Sequence, residues 1–192
     1  MRLKGLKNLS FLIVAVGAIF PASLFLEKKD IKDIADARVV TVLEKAAQNL
    51  NDRARSEVAG AVSDLSKTYG IDPILILAVM KVESTFNPNA VSNAQAYGFM
   101  QVRKIVVKDV ATELGINPKD DEKLRTDQGF NLRVGVHYLS KLIIKFGGDI
   151  KKALMAYNAG PTMVEKNYKG RPVPDGGYQG RVLKAYRDLS NS

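Results

Sequence analysis

Asp72-Pro73-Ile74-Leu75-Ile76-Leu77-Ala78-Val79-Met80-Lys81-Val82-Glu83-Ser84 is the stretch on which the reading of this chain turns. Aspartate is a favoured N-cap and proline suits the first helical position, so the stretch is predicted to open a helix. Its residues are apolar on nearly every side, which is the pattern of a helix buried inside a fold. Asn87-Pro88 follows closely, and a residue before proline is pushed out of the helical region, so the helix must end near Glu83. Ile76, Val79 and Met80 precede Glu83 by seven, four and three residues and share its face. A carboxyl is therefore expected to emerge from an apolar face beside a helix C-terminus. Burial and the helix dipole both favour its protonated form, as a general acid requires. A lone glutamate at a helix end is more often a solvated surface residue, so its context decides.

That context is an ordered set of short motifs. Glu83-Ser84 is followed by Ser92-Asn93-Ala94-Gln95-Ala96-Tyr97-Gly98-Phe99-Met100-Gln101, then by Asn131 through Leu139, then by Ala156-Tyr157-Asn158-Ala159-Gly160. Glu-Ser, Gly-x-Met-Gln and Ala-Tyr-Asn-Ala-Gly in this order closely resemble the soluble lytic transglycosylase (SLT) family over residues 56–188. The resemblance implies a mainly α, lysozyme-like fold and cleavage of bacterial peptidoglycan. It implies Glu83 as the catalytic residue, with Ser92, Met100, Gln101, Tyr157, Asn158 and Tyr178 around the glycan. Ser92 and Gln101 would line the groove, Met100 would pack beside a bound sugar, and Tyr157, Asn158 and Tyr178 would stand near the acid. A glutamine offers both donor and acceptor to acetamido and hydroxyl groups. Tyr157 can hold a carboxyl by its hydroxyl or wall a sugar with its ring. Two departures stand out: Gln95 occupies a position that is usually glycine, and Arg103 follows Val102 where the family often continues Met-Pro.

The remaining candidates read more plainly. Asn131, Gly135, Tyr138 and Leu139 fall on helical spacing, and the resemblance implies a structural helix there, with Asn131 capping or bracing the site. His137 is the single histidine of the chain and has no nucleophile or metal pattern beside it, so it reads as structural or exposed. Asp120-Asp121-Glu122 lacks the spaced oxygen ligands and glycine of a calcium loop and reads as a solvated turn. Cysteine is absent, which excludes disulfides, thiolate metal sites and a cysteine nucleophile. The net charge of +9 is spread along the chain and does not form one block. Nucleic-acid binding would call for a clustered basic face interleaved with aromatics, so that class is set aside. Diffuse positive charge suits an anionic polymer such as peptidoglycan, an anionic membrane surface, or simple solubility.

Three segments are expected. Residues 1–30 carry Arg2, Lys4 and Lys7 ahead of the uncharged run Phe11–Leu26, which resembles a signal peptide or a retained inner-membrane anchor. That run predicts export, with the remainder periplasmic. Residues 31–55 read as a connecting helix that leads into the first helix of the domain, since Val39, Leu43, Ala46, Leu50, Ala54, Val58, Val62 and Leu65 recur at steps of three and four until Tyr69-Gly70 ends the pattern. The connecting helix could form a stalk or lie on the domain. Residues 56–192 form the catalytic domain, with a last helix from Arg181 to Leu189.

The implied reaction is a lytic transglycosylation with one carboxyl, forming 1,6-anhydro ends on N-acetylmuramic acid, and no metal or cofactor is needed. A two-carboxylate glycosidase needs a second acid across the bond, and no motif supplies one, although folding could bring Asp109, Glu113 or Asp127 near. The alternatives are a lysozyme-like hydrolase and a non-catalytic peptidoglycan-binding assembly protein. A small enzyme held at the membrane would suit local wall opening for a secretion or cell-envelope machine.

Overall fold

The computed structural model describes residues 37–192, so the predicted export segment and residues 31–36 of the connecting helix lie outside the described residues. Helix α1 covers residues 37–46 and α2 covers Asp52–Tyr69. The apolar spacing predicts one continuous helix here, but the chain breaks at residues 47–51. Asn51 caps α2 by accepting from the Ala54 amide at 2.9 Å, while Ala47 and Leu50 stay buried inside the break. The apolar stripe thus survives the interruption, which is why spacing alone does not reveal it. Gly70 ends α2 in the left-handed conformation, with its N–H on the Ser66 carbonyl.

Helix α3, Pro73–Ser84, starts as the sequence predicts. Asp72 accepts from the Ile74 amide at 2.8 Å and Pro73 takes the first turn. Every residue from Ile74 to Met80 is buried, so the helix is enclosed on all sides. α2 covers one side, and α9, Gly177–Ser190, runs antiparallel along another. Tyr186 of α9 donates to Asp72 Oδ2 at 2.6 Å beside the N-terminus of α3. Val39, Val42 and Leu43 of α1 join the same core as Val58, Val62, Leu77 and Val182. Of the two placements open to the connecting helix, the described part lies on the domain, and a boundary at 55/56 falls inside α2.

The stretch after α3 contains a small antiparallel hairpin that the sequence reads only as a loop. β1, Ala96–Tyr97, pairs with β2, Val102–Arg103, with Ala96 opposite Arg103 and Tyr97 opposite Val102. α4, Lys104–Leu114, follows and is closed by left-handed Gly115. A 3₁₀ turn at Asp120–Glu122 and α5, Lys123–Thr126, lead to α6, Gln128–Lys145, and α7, Ile150–Ala159. Pro161 does not begin a loop, as its breaker role would suggest. It occupies the first turn of α8, Pro161–Tyr168, where a missing N–H is no loss. α9 likewise begins before Arg181, because Gly176 serves as its N-cap and Gly180 lies so close to the Asp175 carbonyl that no Cβ would fit. Among the described residues no helix is long and apolar enough to cross a membrane.

Candidate active site

The site forms where α3 ends. Thr85 terminates the helix in the left-handed conformation (φ 52°), and Phe86 repeats it (φ 58°). Ser84 Oγ lies 3.1 Å from the Met80 carbonyl and 3.0 Å from that of Phe99, so it joins the helix end to the hairpin. Gln95 (φ 56°) and Gln101 (φ 46°) are also left-handed, so the non-glycine residues of this kind among those described all lie between 85 and 101. Such conformations persist only where the surroundings fix them, and they concentrate at functional sites. Gln95 gives the departure from glycine a physical meaning. The position requires positive φ, and here the side chain stays by accepting from the Tyr97 hydroxyl at 2.5 Å.

Glu83 is half-buried in the last turn of α3. Tyr178, in the first turn of α9, donates its hydroxyl to Glu83 Oε1 at 2.6 Å. Burial pushes the Glu83 carboxyl up to about 6, against the opposing pull of the Tyr178 hydrogen bond and the Arg181 charge. Arg181 stands one turn along α9, its guanidinium 5.8 Å from the centre of the Tyr178 ring. Burial and the nearby Glu83 charge hold both Tyr178 and Tyr157 well above the ordinary tyrosine range, so both remain neutral donors. Tyr157 donates to the Met100 carbonyl at 2.9 Å, and its ring centre lies 5.7 Å from that of Tyr138.

Beneath this cluster the hairpin is clamped to α6. Asn131 is buried, accepts from the Met100 amide at 3.0 Å, and donates to the carbonyls of Tyr97 at 2.7 Å and Leu124 at 3.2 Å. The bracing role expected of Asn131 is thus a three-point clamp. Gly98 passes so close that a Cβ there would meet Asn131 Nδ2 at 2.6 Å, and Gly135 would meet Met100 Cβ at 2.5 Å.

The sequence candidates divide into two groups. Glu83, Tyr178 and Tyr157 come together, linked by a hydrogen bond and by mutual electrostatics. Met100 meets Tyr157 through its carbonyl, and its side chain is fully buried beside Gly135 of α6, so it is placed to support the site from beneath. Ser92 and Gln101 act within the hairpin loop. Ser92 Oγ accepts from the Ala96 amide at 3.1 Å, and Gln101 Nε2 donates to the Ala90 and Gly98 carbonyls, each at 3.1 Å. Asn158 is exposed in the last turn of α7.

Of the carboxylates that folding could have brought near, Glu113 and Asp127 are engaged with other partners. Glu113 bonds to His137 and Lys141, and Asp127 caps α6 through the Phe130 amide at 2.9 Å. Asp109 lies near enough to Tyr138 for its charge to help raise that hydroxyl above the ordinary tyrosine range, behind the larger effect of burial. His137 accordingly has a structural setting, with Tyr69 edge-on to its ring at 5.4 Å. The acidic turn is engaged by lysines, Lys104 with Glu122 and Lys123 with Asp120.

Comparison with known proteins agrees with this geometry. The transglycosylase SLT domain family matches residues 61–175, more than half of the chain. The chain belongs to the transglycosylase SLT family. Membrane-bound lytic murein transglycosylase C of Actinobacillus pleuropneumoniae, in serotypes 5b, 3 and 7, is 31% identical over 163 residues. That match covers 80% of this chain and 44% of the relative, so the chain spans less than half the length of those proteins. The crystal structure of an inactive Glu→Gln mutant of lytic transglycosylase Slt from Pseudomonas aeruginosa superposes with a TM-score of 0.59 at 25% identity. It covers 69% of this chain and 24% of that one. The domain is thus mainly α and lysozyme-like. Notably, this SLT domain takes Tyr178 and Arg181 from beyond the matched segment. Arg181 and Tyr138 were missed in the sequence. Arg181 could have been found from its place three residues after Tyr178, one turn away on the same helical face.

Proposed function

We propose that the protein is a peptidoglycan lytic transglycosylase in which Glu83 is the single catalytic carboxyl. The observation that carries this reading is a half-buried glutamate, pushed up to about 6, that accepts a hydrogen bond from a neutral tyrosine in an SLT-family fold. A carboxyl with that value is substantially protonated in mildly acidic conditions and can donate. In the proposed reaction Glu83 gives its proton to the oxygen that links C1 of N-acetylmuramic acid to C4 of N-acetylglucosamine. The C1–O bond breaks, and the sugar leaves with that proton. The C6 hydroxyl of the muramic sugar then attacks C1 and yields its proton to the Glu83 carboxylate. The product is a 1,6-anhydro ring, no water is consumed, and the acid is regenerated.

Tyr178 has a defined part in this cycle. Its hydroxyl fixes one carboxylate oxygen and leaves the other for the substrate, and it stabilises the anion formed midway. Tyr157 holds the Met100 carbonyl and so sets the hairpin against α7. Ser92, Gln101 and Asn158 are proposed to contact glycan. For Gln101 the carbamoyl oxygen is the group left to receive a sugar hydroxyl, since its NH₂ is held by the loop. The two segments proposed ahead of the enzyme are an export or anchor segment at residues 1–30 and the helix that follows it. They would hold the domain at the periplasmic face of the inner membrane, within reach of the wall and of a cell-envelope machine.

The test is mass spectrometry of purified peptidoglycan digested by the full chain, with Glu83→Gln run in parallel. Anhydro-muropeptides from wild type alone are expected. Reducible, hydrated ends would move the protein to the hydrolases, and near-normal turnover by Glu83→Gln would remove Glu83 from its role.

A further inference from the structure

The end of α3 is unusual in having two consecutive non-glycine residues in the left-handed region, Thr85 and Phe86. They follow Glu83 by two and three residues, so whatever holds that turn also holds the base of the acid. Phe86 is fully buried, and Lys81 lies 5.7 Å from its ring centre. Its carbonyl receives the side-chain amide of Asn49, Nδ2 to oxygen, at 2.9 Å. Asn49 belongs to the break between α1 and α2, outside the 61–175 segment that matches the family. α1 is itself tied to the far end of α9, where Arg38 donates to the Ser190 carbonyl and Lys45 to that of Ser192. α9 in turn carries Tyr178 to Glu83.

Given the reading of Glu83 as the acid, we propose that Asn49 is a positioning residue, whose amide locks the left-handed turn that fixes Glu83 against Tyr178. A left-handed pair of branched and aromatic residues relaxes unless its surroundings over-determine it. Here burial fixes the Phe86 side chain and Asn49 fixes its carbonyl, so backbone and side chain are held from opposite sides. Loss of the amide leaves the peptide after Phe86 held only from its other side, by the Asn87 N–H on the Ser84 carbonyl at 3.0 Å. The movement reaches Glu83 through Ser84, whose hydroxyl also holds the hairpin. Asn49 touches neither Glu83 nor Tyr178, so it acts on turnover and not on glycan affinity.

The experiment measures kcat and KM of the full chain on soluble glycan oligomers for Asn49→Ala, Asn49→Asp, Arg38→Ala and Asn49→Ala combined with Thr85→Gly. Glu83→Gln is run alongside. Asn49→Ala is expected to lose roughly tenfold in kcat, as small misplacements of a reacting group do, with KM held within about twofold. Thr85→Gly should restore most of that loss, because glycine takes positive φ without strain and the turn no longer depends on the amide. Arg38→Ala cuts one of the two ties of α1 to the end of α9, leaves that of Lys45, and should leave kcat unchanged. A merely structural Asn49 would give a lower melting temperature, unaltered kcat in the folded protein and no effect of Thr85→Gly, and that pattern overturns the proposal. Should Asn49→Ala fail to fold, the near-isosteric Asn49→Asp, which cannot donate, carries the test: the same loss supports the role and wild-type kcat overturns it. Activity in Glu83→Gln would overturn the acid assignment and this role together. An inactive Glu83→Gln beside a fully active Asn49→Ala would overturn the role of Asn49 alone.

Discussion

Glu83 is poised by opposing influences of unequal size. Burial raises its pKa, while the Tyr178 hydroxyl and the Arg181 charge lower it, and burial wins. Activity that needs the protonated acid should therefore fall as pH rises through about 6. Removing an influence that favours the anion moves the limb upward, so Arg181→Ala should shift the falling limb of kcat to higher pH while the ring of Tyr178 still packs. A pH–rate profile checks this, and a downward shift would contradict it. Stability reports the same titration with a definite sign. A carboxyl raised from its ordinary 4.5 to about 6 binds protons more tightly in the folded chain. Its stabilisation is thus present at low pH and lost between those values, a difference of about 2 kcal/mol. Glu83→Gln, neutral throughout, should melt higher than wild type at pH 7 and alike near pH 4.

Helices α6 and α3 show how elements support such a residue. On α6, Gly135 admits the Met100 side chain that carries the hairpin, and an added Cβ would stand 2.5 Å from Met100 Cβ and 3.2 Å from the Tyr157 hydroxyl. Gly135→Ala gains roughly 1 kcal/mol of helix propensity, yet overpacking of this kind costs about 1–3 kcal/mol. It should destabilise the protein in urea and reduce turnover. Gly60→Ala on α2 meets nothing within 4 Å and should stabilise instead. Opposite signs for one substitution in two helices would confirm that the α6 glycine is set by close approach. The sequence allowed part of this reading. α3 was legible because Asp72-Pro73 and an unbroken apolar run carry local signals that no tertiary contact overrides. The break at 47–51 was not, because Ala47 and Leu50 stay buried through it and keep the helical spacing. Nor was the hairpin, since strands of two residues have no periodicity to read. At the site, Glu83 stood out through the ordered motifs and Tyr178 only through the family resemblance, and the burial of Met100 follows from the approach of α6, which sequence order does not contain.

At the scale of the whole molecule, Glu83 and Tyr178 lie 95 residues apart in sequence and meet because α9 runs antiparallel along α3. α3 is apolar on all sides and cannot be enclosed by its neighbours within 61–175 alone. The core that surrounds it includes Val39, Leu43 and Val58 from before that segment, and Tyr178, Val182 and Leu189 from after it. Each buried apolar side chain of this size contributes about 1.5–3 kcal/mol, so removing six approaches the entire stability of a domain, about 5–15 kcal/mol. The isolated segment 61–175 should therefore lack a cooperative thermal transition and expose apolar surface to a hydrophobic dye. Residues 37–192 should melt in a single step. A cooperative melt of 61–175 would mean that α1 and α9 are appendages and that the acid keeps its setting without them. Its absence would mean that the folding unit extends past the family match at both ends, and that the ends of the chain are as much a part of the site as the motif at its centre.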